Sequence, residues 1–172
     1  MNEEVQSGDL SVDQRLTRLE DIEHIKVLIT QFARGADANC DPAILRPLFT
    51  DDAVFDVGQF GTLTGGDEIV RNMHENVDVG FRDTLHFLVS PTIDIHDDLN
   101  SATCFYYLWE TASHNTRDGN EVAYWIGGWY DAEVVKGADK RWRFQRLRLS
   151  LRVLSPNSDG WKPLPTSFDA LG

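Results

Sequence analysis

The fold is decided by residues 12–37, which read VDQRLTRLEDIEHIKVLITQFARGAD. Apolar side chains recur here at the three- and four-residue spacing of one helical face, which predicts a long amphipathic helix. Ile25, Ile29, Ala33 and Asp37 follow at intervals of four, so the carboxylate lies close to the buried stripe. Because a buried carboxylate is costly without a partner, we predict that Asp37 points inward to a cation or an imidazole N–H. The alternative is that Asp37 only caps the helix.

Two further helices and a short strand are predicted next. Asp41 followed by Pro42 is the pattern of an N-cap with proline at the first helical position, and predicts a short helix that reaches Phe49. A brief strand is expected over residues 53–60. Acidic residues in a first turn after two glycines then predict a third helix over about residues 65–76.

The second half of the chain has the pattern of long strands. Segments rich in β-branched and aromatic residues alternate with polar or glycine-bearing turns, which is typical of an antiparallel meander. Helices followed by strands predict an α+β fold. If its mostly antiparallel sheet is strongly curved, such a fold makes a half-open cone, with the three N-terminal helices around a central cavity. The four long strands are predicted at residues 84–95, 102–113, 122–135 and 141–154.

Length and composition indicate one globular domain. The chain has 172 residues, and we expect a flexible N-terminus over 1–11, the folded domain over 12–154 and an irregular tail over 155–172. A net charge of −12 repels phosphate backbones and anionic headgroups, so neither nucleic acid nor a membrane is an expected partner. The acidic N-terminus and two distant cysteines, Cys40 and Cys104, favour a reduced, cytoplasmic location, with a disulfide between them as the alternative.

One strand histidine is the main catalytic candidate. His86 lies in the alternating run 84–89, whose two faces are both apolar, so periodicity does not fix the face on which it lies. Imidazole suits removal of a proton near neutral pH, and a carboxylate on its second ring nitrogen fixes the tautomer and stabilises the imidazolium. A structural role is the alternative. We expect the remaining histidines to be solvated surface residues: His24, His74, His96 and His114.

Arginine and aromatic side chains on the strands are further candidates. Arg146, Arg148 and Arg152 share one phase of the last strand, which favours an outer face that pairs with carboxylates. The sharper alternative places Arg148 in the cavity, where it would stabilise a leaving anion or an enolate. Aromatic side chains could form an apolar wall around a flat substrate, although core and interface packing explains most of them equally well; they are Phe55, Tyr107, Trp109, Trp125 and Trp129.

The sequence predicts neither a metal nor a cofactor. No HxH, HxxxH or HExxH spacing occurs, and the glycine pairs lack a phosphate-loop frame. The outer face of a curved, aromatic-rich sheet would expose apolar area in a monomer, so we predict a homo-oligomer.

Several short motifs together resemble the SnoaL-like group of the NTF2-like superfamily. The resemblance covers most of residues 16–154 and implies the cone fold. It also implies an Asp at the end of the first helix and a His on the first long strand, facing each other as a catalytic dyad; here these are Asp37 and His86. The motifs that carry it are residues 19–26, 35–37, 48–55, 84–87 and 142–144.

The resemblance implies a cofactor-independent lyase (a dehydratase or dehydrohalogenase) or an isomerase. Its substrate would be a small hydrophobic, cyclic molecule from which His86 removes a proton while Asp37 orients the ring. Dehydratases of the group that carry a second pocket histidine have it on the following strand, and residues 106–111 contain none. A dehydrohalogenase with one Asp and His pair and an arginine is therefore the nearer template, and it favours a trimer, whereas the wider superfamily favours a dimer. The alternative is a non-catalytic domain that binds a small molecule or a protein.

Overall fold

The computed structural model describes residues 10–77, 80–115 and 119–157. Helix α1 (Val12–Asp37) begins with a capping box, in which the Ser11 hydroxyl accepts from the backbone of Gln14 and the Gln14 side chain accepts from the backbone of Ser11. Helix α2 (Pro42–Leu45) is capped by Asp41, and helix α3 is Gly66–Glu75. Helices α1 and α3 lie where they are predicted, and α2 begins where it is predicted. None of the helices in these ranges is long and apolar enough to cross a membrane.

The strands of the described ranges form one mixed, curved and unclosed sheet in the order β2-β1-β6-β5-β4-β3. Neighbours are antiparallel except β1 and β6, which run parallel. The predicted meander is confirmed for the four long strands. The strand bounds are β1 (Phe49–Asp56), β2 (Thr62–Thr64), β3 (Arg82–Ile95), β4 (Ser101–Asn115), β5 (Glu121–Lys136) and β6 (Trp142–Asn157).

The segment after α1 differs from its prediction. The second helix ends at Leu45, and a 3-10 turn leads into β1 at Phe49, which pairs with Phe144 of β6. Pro47 has no N–H to continue the helix, which explains the early end. The predicted strand at 53–60 therefore begins four residues earlier, and β2 was not predicted. Residues 155–157 extend β6 instead of starting the irregular tail; residues 1–9 and 158–172 lie outside the described residues.

The core lies between α1 and the concave face of the sheet. Phe32 of α1 makes edge-to-face contacts with four aromatic rings, at centroid distances between 5.7 and 6.5 Å. Those rings are Phe49, Phe55, Tyr130 and Phe144.

A buried polar contact fixes α1 against the sheet. Lys136 Nζ lies 2.5 Å from Asp21 Oδ2, and the Trp142 indole N–H donates to Asp21 Oδ1 at 3.0 Å. Such a pair is favourable only when both charges find partners, as here. The contact sets the rotation of α1 about its axis, and therefore the direction in which its last residue, Asp37, faces.

Candidate active site

Asp37 and His86 meet where the end of α1 crosses β3. His86 Nδ1 lies 2.7 Å from Asp37 Oδ1, and the backbone N–H of His86 donates to both carboxylate oxygens at 3.1 and 3.3 Å. The Thr84 hydroxyl donates to the same carboxylate at 3.3 Å. An ionised carboxylate only accepts, so Nδ1 carries the proton and Nε2 has the free lone pair. The His86 side chain is 10% exposed.

Close packing of α2 explains the glycine before Asp37. A Cβ on Gly35 would lie 2.5 Å from Leu45 Cδ2, so only glycine lets the short helix lie against the end of α1. The chain reverses between the two helices through Asn39 and Cys40, which both have positive φ. This turn ends α1 at the point where its last carboxylate can reach β3.

A third titratable group, Glu110, faces the other ring nitrogen. Glu110 lies directly opposite His86 in the register of β3 and β4, and its Oε2 is 3.3 Å from His86 Nε2. The residue is only 6% exposed. The imidazole therefore lies between two carboxylates, of which sequence analysis found one. In the alternation of β4, Glu110 lies on the same side as Tyr106 and Leu108, and this was the available signal. The other side of the strand also carries aromatic residues, so alternation alone did not identify the buried face.

His86 and Glu110 influence each other's pKa. Burial raises the pKa of Glu110; the charge of His86 opposes this and that of Asp37 adds to it. Burial lowers the pKa of His86, but the hydrogen bond to Asp37 and the negative charges of Glu110 and Asp37 more than compensate, so it is raised. Because Nε2 and Oε2 lie 3.3 Å apart, His86 and Glu110 titrate as a coupled pair and share the protons between them.

A small cavity opens in front of these groups. Its volume is about 160 Å³, and His86 and Glu110 line it together with Met73, Phe81 and Cys40. Drug-sized ligands occupy roughly 300–1,000 Å³, so this space suits a smaller molecule. Burial, with the nearby Glu110 and Asp37, raises the pKa of the Cys40 thiol to about 11, so Cys40 is not a thiolate nucleophile at neutral pH.

The sequence profile of the SnoaL-like domain matches residues 17–148. The chain belongs to the SnoaL-like family. No curated protein sequence matches it. Similar solved structures include a type 2 hexachlorocyclohexane dehydrochlorinase, LinA, with 20% identity, a TM-score of 0.76 and coverage of 87% of this chain and 97% of that one. The type 3 LinA of Novosphingobium barchaimii has 20% identity, a TM-score of 0.73 and coverage of 87% and 99%.

A third similar structure, from Novosphingobium aromaticivorans, is provisionally named a scytalone dehydratase. It has 22% identity, a TM-score of 0.68 and coverage of 82% of this chain and 90% of that one. At these identities the structures show a shared fold, the NTF2-like α+β cone. The predicted fold class and family are confirmed.

The SnoaL-like domain does not bring Arg148 to the cavity. Arg148 lies opposite Asp131 on the outer face of the sheet; its side chain is 63% exposed, and Nε is 3.6 Å from Asp56 Oδ2. Arg146 on the same face lies 3.6 Å from Glu133. The interpretation of an outer face paired with carboxylates therefore describes this strand. A depression of about 450 Å³ contains both arginines, but it lies on the face opposite His86 and Glu110.

The aromatic side chains suggested as a cavity wall do not line the cavity either. Glu110 faces inward on β4, so residues 107 and 109 face outward, and the register with β5 places the two partner tryptophans on that side too. Of the five candidates only Phe55 faces inward, and it belongs to the core beside Phe32 rather than to the cavity. The four side chains on the outer face are Tyr107, Trp109, Trp125 and Trp129.

Of the histidines predicted to lie on the surface, His24, His74 and His96 are exposed. His114 is the exception, because its Nδ1–H donates to the Gly80 carbonyl at 2.8 Å and its ring packs half-buried against Phe81 and Tyr124. Cys40 and Cys104 are free thiols, so the alternative of a disulfide does not hold. Over residues 10–77, 80–115 and 119–157, no group of three metal-ligating side chains is placed to hold a metal ion.

Proposed function

We propose that this protein is a cofactor-independent lyase or isomerase in which His86 is the general base and Asp37 orients it. The observation that carries the proposal is the 2.7 Å contact between His86 Nδ1 and Asp37 Oδ1 beside a cavity. A carboxylate on Nδ1 leaves Nε2 free to accept a proton and stabilises the imidazolium that forms. Membership of a family whose structural neighbours include a dehydrochlorinase supports a small-molecule-processing enzyme.

The proposed substrate is a small cyclic ketone or a similar carbon acid. The cavity of about 160 Å³ has room for a single ring, and Met73 and Phe81 give it apolar walls. Nε2 removes a proton from the carbon next to the carbonyl. The electron pair of that C–H bond then forms a double bond, and either a group leaves from the next carbon or a proton is returned elsewhere on the ring.

The direct test of this proposal is proton abstraction itself. Wild-type protein should exchange the α-hydrogens of cyclohexanone for deuterium in D₂O, followed by NMR. His86→Ala should lower the exchange rate about 10²–10⁴-fold, the usual scale of general-base catalysis, while the far-UV circular dichroism stays unchanged. Exposed His24 gives the matched control, since His24→Ala should exchange at the wild-type rate.

The orienting role of Asp37 predicts a different pattern. Asp37→Asn keeps the shape but presents the wrong hydrogen-bonding partner to the ring, so kcat should fall with little change in KM. The double variant with His86→Ala should be little worse than His86→Ala alone, because the carboxylate acts through the imidazole. Wild-type exchange in His86→Ala would remove the catalytic proposal and favour a cavity that only binds a small molecule.

A further inference from the structure

Glu110 has no part in the mechanism just proposed, although it lies at its centre. Its carboxyl is more than nine-tenths buried, lines the cavity and lies 3.3 Å from the nitrogen that acts as base. Burying a carboxyl is costly unless it is paired or protonated. An acid in contact with both the base and the substrate space has the position of a proton donor, and hydrogen bonds at such sites often tighten only when substrate binds.

The charges around the cavity distinguish between leaving groups. A departing halide needs no proton, but it needs a cation or free N–H donors. Here the carboxyl groups of Asp37 and Glu110 flank the imidazole of His86, and neither is a cation or an N–H donor. The arginine that lines the cavity, Arg82, donates through Nη2 to Asn115 and Glu121 at 2.8 Å, so its charge is shared with Glu121, while its buried Nε has no hydrogen-bond partner. A departing hydroxide, in contrast, needs a proton, and a carboxyl in this position could supply it.

We propose that Glu110 is the general acid of the site and that the leaving group is a hydroxyl, so that the reaction is a dehydration; this rests on the proposed role of His86. Nε2 takes a proton from the carbon next to the carbonyl, and the C–H electron pair forms the C=C bond. The C–O bond breaks, and the proton of the Glu110 carboxyl goes to the leaving oxygen, which departs as water. No oxidant, reductant or co-reactant is needed.

The close contact between His86 and Glu110 also restores their protonation states after each turnover. After one turnover His86 is an imidazolium and Glu110 a carboxylate, and the proton on Nε2 passes back to the adjacent oxygen, across the 3.3 Å between them at rest. Both groups lie on the same side of the bound ring because they are direct partners across β3 and β4. The hydrogen and the hydroxyl therefore leave from the same face of the substrate.

A matched pair of probes tests the role of the acid. 3-Hydroxycyclohexanone and 3-chlorocyclohexanone give the same cyclohexenone, with water or chloride as the second product. Glu110→Gln keeps the shape but cannot act as the acid, so dehydration should slow about 10²–10³-fold more than chloride loss does. His86→Ala should slow both reactions, and Glu133→Gln on the outer face should slow neither. Equal effects of Glu110→Gln on the two probes, or no effect on dehydration, would overturn the proposal.

The exchange of cyclohexanone separates this proposal from the one on which it depends. Loss of exchange in His86→Ala with no selective loss of dehydration in Glu110→Gln would reject only the acid role. Wild-type exchange in His86→Ala would reject both.

A measurement without substrate tests the shared proton. The titratable groups around His86 are Asp37, Glu110, Cys40 and Arg82. The negative charge of Glu110 raises the pKa of His86, so Glu110→Gln should lower it in a ¹⁵N NMR titration of the ring. Glu133→Gln should leave it unchanged. A His86 pKa that does not move in Glu110→Gln would overturn the pairing on which the acid role depends.

Discussion

At the scale of single residues, two carboxylates on one imidazole have different environments. Asp37 accepts hydrogen bonds from the His86 ring, the His86 backbone and the Thr84 hydroxyl, which together hold its carboxylate against the imidazole. Glu110 lies beside His86 Nε2, and burial raises the pKa of its carboxyl. The same functional group is thereby suited to orientation at one nitrogen and to proton donation at the other.

This arrangement predicts a dependence of stability on pH. The folded pKa values of His86 and Glu110 both lie above their ordinary values of 6.5 and 4.5, so the folded state binds more protons than the unfolded chain. Each contribution to stability is therefore full below the ordinary pKa of its group and is lost as pH rises through the folded pKa. Between pH 5 and 8 the free energy of unfolding should fall in urea titrations.

A matched variant isolates that slope. In the double variant His86→Gln with Glu110→Gln the two titrations are gone, so the decline between pH 5 and 8 should be shallower than in the wild type. Parallel profiles for the two proteins would show that other groups cause the decline.

The residues of the site differ in how far the sequence could predict them. Asp37 follows from helical spacing, because four-residue steps from Ile25 carry it to the buried stripe. His86 needed the family resemblance, since both faces of its strand are apolar. Glu110 was missed because its inward direction depends on which phase of β4 the helix covers, and that is a tertiary fact.

At the scale of elements, a pair of glycines in β5 bends the sheet. The register with β6 shifts between Gly127 and Gly128, as in a β-bulge. A Cβ on Gly128 would lie 2.2 Å from the backbone oxygen of Ser150, whereas one on Gly127 would meet the ring of Trp109 at 2.9 Å. The neighbour of Gly128 is backbone, whereas that of Gly127 is a side chain that can move. Position 128 is therefore the one of the two that forbids a side chain.

Replacing each of the two glycines by alanine should therefore lower the free energy of unfolding by different amounts. Gly128→Ala should lower the free energy of unfolding by at least about 2 kcal/mol, because the strands must separate. Gly127→Ala should cost less, since the partly exposed Trp109 ring can move outward. Denaturant titrations would measure both, and equal costs would contradict the assignment of the backbone contact as the limiting one.

Local pattern predicted the long elements better than their non-local pairing. Helix α1 and strands β3 to β6 follow from periodicity and turn chemistry, with ends displaced by only a few residues. The parallel pairing of β1 with β6 joins segments that are about 90 residues apart, as in Phe55 with Leu147, and no local signal encodes it. Because of that pairing, β1 begins at Phe49, inside the segment predicted as helix.

At the scale of the whole molecule, the outer face of the sheet is an apolar surface that the fold leaves uncovered in the part of the chain that the structure describes. Side chains from β3, β4 and β6 contribute to it, and opposite charges flank it at Asp131 and Arg148. The sequence does not distinguish a substrate wall from packing or an interface for its aromatic residues, because both faces of these strands are apolar. The exposed members of this outer apolar face are Leu85, Phe87, Val89, Tyr107, Trp109 and Val153.

We predict that this face joins copies of the chain, because an apolar surface rimmed by both charge signs is complementary to itself. Sedimentation should give a multiple of 19.5 kDa at micromolar concentration. Phe87, 48% exposed and paired with Trp109 across the strands, lies within the face. A charge there would be desolvated on association, so Phe87→Glu should shift the mass to the monomer. Val27→Glu, on a 52% exposed position of α1, should not. A wild-type mass near 19.5 kDa would reject the interface.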